Sequence, residues 1–311
     1  MKRHFTRILR ALRASRPGPD MRLPQPDLPK LGGLGKDVIL KTLVSFALDG
    51  ASSGELEGYA REDYERFIYT VDLVPEGRLG LLEIGANPYF TSYLLRKFRP
   101  QATHRYTNYF NGGIETRSQT ANLTGFDGGA EVETFEYLNV NLEEHVLPIE
   151  AGSLDVVLFC EVIEHMQNDP LRALSEIKRI LRPNGYLVLT TPNVARLENV
   201  ARLLAGSNIY DPYSGYGPYG RHNREYNRHE LVQLLEFCGF EIEICFTADV
   251  HHNHANDIFP VRKIKRLVEA RRGDLGQYLF VRCRNVGPMP AKKPTWLYRS
   301  YPIDQLTDTS S

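Results

Sequence analysis

No stretch of the 311 residues approaches the roughly 18 to 20 continuous apolar residues of a membrane-spanning helix. Net charge is also missing. The 38 Lys and Arg balance the 38 Asp and Glu, so composition gives no reason to expect a nucleic-acid or membrane partner for the chain as a whole. Cysteine is scarce: the four copies, Cys160, Cys238, Cys245 and Cys283, form no C-x-x-C pair, and three lie in apolar runs. Free thiols in a reducing cytoplasm are therefore expected, with neither a zinc site nor a disulfide framework. The first strand-to-helix turn, after residues 81–84, lacks G-x-G-x-x-G, which argues against a nicotinamide site that cradles a diphosphate there. Internal repeats are absent as well.

What remains has the composition of an ordinary globular protein, 42% hydrophobic and 24% charged. Residues 1–36 read as a basic, Pro-rich leader. Lys2, Arg3, Arg7, Arg10, Arg13 and Arg16 alternate with Phe5, Ile8, Leu9 and Leu12. Two readings stand: a solvated leader, or a basic amphipathic helix in weak contact with an anionic membrane surface. No apolar segment or small-residue cleavage site follows, so a secretory signal is not expected. Residues 37–76 read as a helical extension, with helices over 38–48 and 59–74, the second packed across the edge of the following domain.

Residues 77–285 alternate strands and helices. Strands are expected over 81–84, 104–110, 132–140, 154–160 and 186–191, with helices over 91–98 and 169–181 between them. A helix over 229–238 and two further strands, 241–247 and 278–283, complete the pattern. This is an α/β, doubly wound, Rossmann-like, mostly parallel seven-stranded sheet with helices on both faces. The tail over 286–311 is Pro-rich and expected to be poorly ordered.

In such a sheet the ligand lies at the carboxyl ends of the strands, where strand order reverses. The first strand-to-helix turn reads Leu81-Leu82-Glu83-Ile84-Gly85-Ala86-Asn87-Pro88-Tyr89. A carboxylate two residues before a glycine resembles motif I of class I S-adenosylmethionine-dependent methyltransferases. The block from Leu147-Pro148-Ile149 through Glu161-Val162-Ile163-Glu164-His165 to Thr191-Pro192-Asn193 resembles the fourth-to-fifth-strand half of the same family. The resemblance runs from about Leu81 to about Phe240 and implies S-adenosylmethionine as cofactor. It implies that Glu83, Gly85 and Asn87 meet the methionine part, and that Asn108 meets the ribose in place of the usual acid. Asn139 or Asn141 would reach the adenine, and Glu161 would also face the cofactor. For each Asn, ordinary turn chemistry is an equal alternative.

Glu161, Glu164 and His165 stand at positions i, i+3 and i+4, so a helix starting there would carry them on one face above the methyl donor. A hydroxyl acceptor must lose its proton to a base or to a metal that lowers its pKa. The Glu-x-x-Glu-His pattern is similar to the metal-binding motif of two groups: O-methyltransferases of ubiquinone biosynthesis, and enzymes that methylate the terminal 2′-hydroxyl of small RNAs. That resemblance implies Glu161, Glu164, His165 and His222 as ligands of a divalent cation, with Mg²⁺ expected from the carboxylates. A metal-free reading makes His165 or His222 the general base, with Glu164 beside it. A structural reading leaves Glu164 and His165 as a cap.

Tyr210, Tyr213, Tyr216 and Tyr219 are expected to line the acceptor pocket, where aromatic faces suit a sugar or polar ring. The expected acceptor is a small molecule or glycan hydroxyl. RNA methylation is a further alternative, set lower because no RNA-binding module accompanies the balanced charge. A non-catalytic cofactor-binding scaffold is the alternative from another class. His251, His252 and His254 read as a solvated loop cluster, and Arg262, Lys263, Lys265, Arg266, Arg271 and Arg272 as a solvated basic face.

Overall fold

The computed structural model describes residues 23–215 and 217–307. The basic segment from Lys2 to Arg16, and Tyr216, lie outside the described residues. The chain forms α1 (Lys36–Val44), β1 (Ala47–Leu48), α2 (Ser53–Glu62) and α3 (Tyr64–Leu73). Then come β2 (Gly80–Ile84), α4 (Phe90–Phe98), β3 (Thr103–Asn108), β4 (Glu115–Thr124), β5 (Ala130–Asn139) and β6 (Leu154–Cys160). α5 (Pro170–Ile180), β7 (Leu181–Pro192), α6 (Leu197–Leu204), α7 (Arg228–Phe237) and β8 (Phe240–Ala248) follow. Two short helices, α8 (Ala255–Ile258) and α9 (Lys265–Val268), precede β9 (Tyr278–Asn285).

The strands form one nine-stranded sheet in the order β1-β4-β5-β3-β2-β6-β7-β9-β8. Its centre, β5-β3-β2-β6-β7, is parallel, and both flanks are antiparallel. The α/β doubly wound class holds, and the expected count of seven strands grows by β1 and β4 at one edge. β4 is built mostly from Glu, Thr, Arg, Ser, Gln and Asn, and only Ala121 and Leu123 near its end are buried, so its apolar alternation is too short to mark a strand. Its partner sets it: it pairs with β5 from Glu115 opposite Asn139 to Thr124 opposite Ala130. β1 takes the end of the expected helix over 38–48, because Ala47 and Leu48 pair with Asn122 and Ala121.

Local chemistry explains the central elements. Val156, Val157, Leu158 and Phe159 are all fully buried, as a strand covered on both faces requires. α5 starts where Asp169 accepts a hydrogen bond from the Leu171 N–H (3.0 Å) with Pro170 at its first position. Leu171, Leu174, Ile177 and Ile180 form its buried stripe.

The single helix expected over 59–74 is two helices that meet at Asp63. α3 also lies over the middle of the sheet and not at its edge: Phe67, Ile68 and Val71 share one apolar cluster with Leu81, Val156, Leu158, Val188 and Phe280. The extension is thus part of the main core. Over its described residues the tail packs against the domain, contrary to expectation. Tyr298 is buried and donates to Asp169 (2.5 Å), Lys293 pairs with the same carboxylate, and Leu297 and Leu306 pack on the second apolar cluster. Among the described residues no helix is long and apolar enough to cross a membrane.

Strand order reverses at β2, which has β3 on one side and β6 on the other. The crevice above the carboxyl ends of β2 and β6 is therefore where a ligand belongs.

Candidate active site

The turn after β2 is shaped by Gly85. Its φ is +72°, and a Cβ there would stand 2.6 Å from Cγ2 of Val162 in the loop after β6, so only glycine fits. The N–H groups of Gly85 and Ala86 donate to the Thr107 carbonyl (2.8 and 3.2 Å), tying the turn to β3. Asn108 completes the tie. Its Oδ1 accepts from the Asn87 N–H (2.9 Å) and its Nδ2 donates to the Tyr89 hydroxyl (2.8 Å). Asn87 and Asn108 thus meet each other, and Asn108, 4% exposed, spends its polar atoms on the turn.

Glu83 is buried beneath this turn and accepts from the Ser92 hydroxyl (2.6 Å). Burial pushes its carboxyl up to about 7, against the pull of Ser92 and Arg66. A cavity of about 260 Å³ opens above, lined by Glu83, Gly85, Asn87, Arg66, Glu161 and His165 among others. Asn139 lies away from it: fully buried, it accepts from the Phe110 N–H and donates to the carbonyls of Asn111 and Gly113. Asn141 donates to the Tyr219 hydroxyl (2.9 Å), bringing the tyrosine-rich loop over the end of β5.

The segment after β6 is not the helix whose face was expected to carry three ligands. Glu161 has φ +55°, and Ile163–His165 is a single 3-10 turn. The carboxylate of Glu161 accordingly parts from the others: it accepts from Thr190 (2.7 Å) and stands 3.9 Å from Arg66. Glu164, His165 and His222 converge instead, each offering a ligand atom within 4.8 Å of the other two.

The surroundings of this trio point its free atoms inward. Glu164 has no solvent exposure; Oε2 accepts from Thr191 (2.9 Å), while Oε1 is buried without a hydrogen-bond partner. Burial pushes the carboxyls of Glu161 and Glu164 upward. His165 Nδ1 lies 2.9 Å from the Arg221 carbonyl, which fixes the proton on that nitrogen and leaves Nε2 as an acceptor. Burial and the neighbouring His222 lower its pKa. His222 Nδ1 lies 2.8 Å from Glu225 Oε1. Burial opposes charge on this ring, but the Glu225 hydrogen bond and Glu164 outweigh it and raise the pKa. Glu225 is itself held by Arg196.

Sequence reasoning did not find Arg66, Thr190, Thr191 or Arg196. Two hydroxyls at the end of β7 facing two acids at the end of β6 are legible only once the strands are known to pair. A second cavity, about 210 Å³, adjoins the trio and is lined by Val194, Ile209, Tyr210, Asp211, His222, Asn223, Arg224 and Glu225. Tyr210 lines the rim of this cavity, and both it and Tyr213, which stands against Arg221, are largely exposed. His252, His254 and Asp257 form a separate cluster that is exposed throughout.

A family model for a methyltransferase domain matches residues 58–243, more than half of the chain. The chain belongs to the class I S-adenosylmethionine-dependent methyltransferases. A probable S-adenosylmethionine-dependent methyltransferase of Mycolicibacterium smegmatis is 38% identical over 103 residues, 33% of this chain and 34% of that protein. One of Mycobacterium tuberculosis is 34% identical over 111 residues, 35% of each chain. The chain thus matches about a third of the length of these relatives. A solved methyltransferase from Methanosarcina mazei aligns at TM-score 0.42 and 17% identity, covering 69% of this chain and 95% of that one.

Proposed function

We propose that this methyltransferase transfers the methyl group of S-adenosylmethionine to a hydroxyl of a small molecule or sugar, with a divalent cation held by Glu164, His165 and His222. The observation that carries this reading is the convergence of those three side chains beside the cofactor cavity. An unpartnered buried carboxylate oxygen and two imidazoles, each fixed through Nδ1 by a second partner, form the donor set of a metal site. Two nitrogens and one oxygen suit a divalent first-row transition ion such as Mn²⁺ better than Mg²⁺, which the chain expected from two carboxylates. Glu161, turned toward Thr190 and Arg66, serves the cofactor side.

Methyl transfer is an in-line displacement in which the sulfonium leaves, so the protein has to align the acceptor oxygen and ease removal of its proton. A bound cation supplies Lewis acidity that lowers the pKa of the acceptor hydroxyl. The cavity beside His222 orients the acceptor, and Tyr210 and Asp211 offer an aromatic face and a hydrogen-bond acceptor suited to a polyol. The second reading is metal-free: His165, with Nε2 unprotonated and its pKa lowered, is placed to accept the acceptor proton.

Transfer of labelled methyl from S-adenosylmethionine to a panel of hydroxylated acceptors tests both. The metal reading expects transfer that is lost on chelation, restored by Mn²⁺ and absent in His222→Ala. Transfer that survives chelation would sink it in favour of His165 as base. No transfer to any hydroxyl, with transfer to amines or thiols, would contradict O-methylation.

A further inference from the structure

The loop after β8 carries three histidines that methyl transfer does not use. β7 and β8 are both antiparallel to β9, so this loop leaves the sheet at the same edge as the one leading from β7 into α6. Its backbone is pinned. Gln277, 2% exposed, accepts at Oε1 from the N–H groups of Val250 and His251 (3.0 and 3.2 Å). The buried Glu198 of α6 accepts from the His254 N–H (2.7 Å). Asn253 donates to the Asp249 carboxylate (3.1 Å) and accepts from the N–H of Ala255, where α8 begins (3.0 Å).

His252 and His254 are exposed on this fixed backbone, with their rings 4.6 Å apart. Asp257, within α8, places Oδ2 3.1 Å from His254 Nδ1. One ligand atom from each of the three lies within 4.8 Å of the other two. A zinc ion with tetrahedral bonds of about 2.0 Å sets its ligand atoms about 3.3 Å apart. His254 and Asp257 already meet that spacing, and rotation of the exposed His252 ring closes the rest. His251 is not part of the set, since its Nδ1 lies 2.9 Å from Gln277 Nε2. We propose that His252, His254 and Asp257 bind a Zn²⁺ ion, with water at the fourth position, and that the ion fastens the loop to α8. Two imidazole nitrogens and one carboxylate match the mixed preference of zinc. Pinning the backbone beforehand lowers the ordering cost of gathering three exposed side chains. The site shares no residue with Glu164, His165 and His222 and does not depend on the reaction proposed for them.

Zinc titrated into the chelator-treated full chain, against a zinc-sensitive dye, provides the test. One micromolar site should persist in His222→Ala, where the other cluster is broken. Adding His252→Ala or His254→Ala should weaken that site by more than about tenfold, the least that even an outer partner of a metal ligand is worth. Asp257→Asn, which keeps the shape and removes the charge, should weaken it too. Zinc should also raise the melting temperature of His222→Ala and leave that of the His222→Ala/His254→Ala pair unmoved. If His222→Ala fails to fold, the loss of one zinc equivalent from the wild type on His254→Ala decides the matter. Binding that is unchanged by both loop substitutions, binding that His222→Ala alone abolishes, or no micromolar binding by the wild type would each overturn the assignment.

Discussion

Glu83 sits buried at the end of β2 with Ser92 as its donor, and burial holds its carboxyl near 7 while the cavity is empty. A ligand ammonium group needs the carboxylate, so below that pH binding must first strip a proton. Affinity for S-adenosylhomocysteine should therefore rise with pH by at most about tenfold per unit, levelling above about 7. Calorimetric titrations between mildly acidic and mildly alkaline pH check this, and Glu83→Gln should flatten the profile. The sign reverses for the empty fold. Because Glu83 keeps its proton to higher pH in the fold than in the unfolded chain, its share of stability is complete below 4.5 and is lost as pH rises through about 7. At this scale the sequence made Glu83, Gly85, Glu164 and His165 legible through their spacing. It did not reveal which way Glu161 turns, since that follows from a positive φ that a non-glycine residue adopts under tertiary constraint. Arg66 was hidden for a similar reason: its neighbours Phe67 and Ile68 are core residues, and nothing local marks an arginine among them as buried.

The tail after β9 shows how an element with no periodic pattern can still be packed. Tyr298 buries its ring against the second apolar cluster and hydrogen-bonds Asp169, the residue that caps α5. Tyr298→Ala should remove about 3 kcal/mol of stability, read as a melting temperature several degrees lower. Ile303→Ala should leave it unchanged, because Ile303 is 88% exposed. A tail that contributed nothing would give two identical melting curves. The same contrast explains which elements were readable. β6 and α5 announce themselves through an apolar run and an apolar stripe. β4 is polar and exists because β5 pairs with it; its one local signal was the Gly125–Gly129 turn, where Asp127 accepts from the Gly129 N–H (2.9 Å).

For the whole molecule, the N-terminal helices, the parallel sheet and the loop before α7 meet at one site from three directions. α2 and α3 bring Tyr59 and Arg66 to the cavity above β2, β2 and the end of β6 bring Glu83 and Glu161, and the loop before α7 brings His222 to Glu164 and His165. The doubly wound class could be read because alternating strands and helices admit few topologies. The convergence of His222 with Glu164 could not follow from periodicity, because the two are joined by a loop that has none; the family resemblance supplied it. The central claim is that this assembly binds S-adenosylmethionine at the crevice above β2. Titration of S-adenosylhomocysteine into the full chain, with NADH alongside, tests it most directly. The account predicts saturable micromolar binding of the former and none of the latter. Absence of binding by S-adenosylhomocysteine and S-adenosylmethionine alike would contradict it.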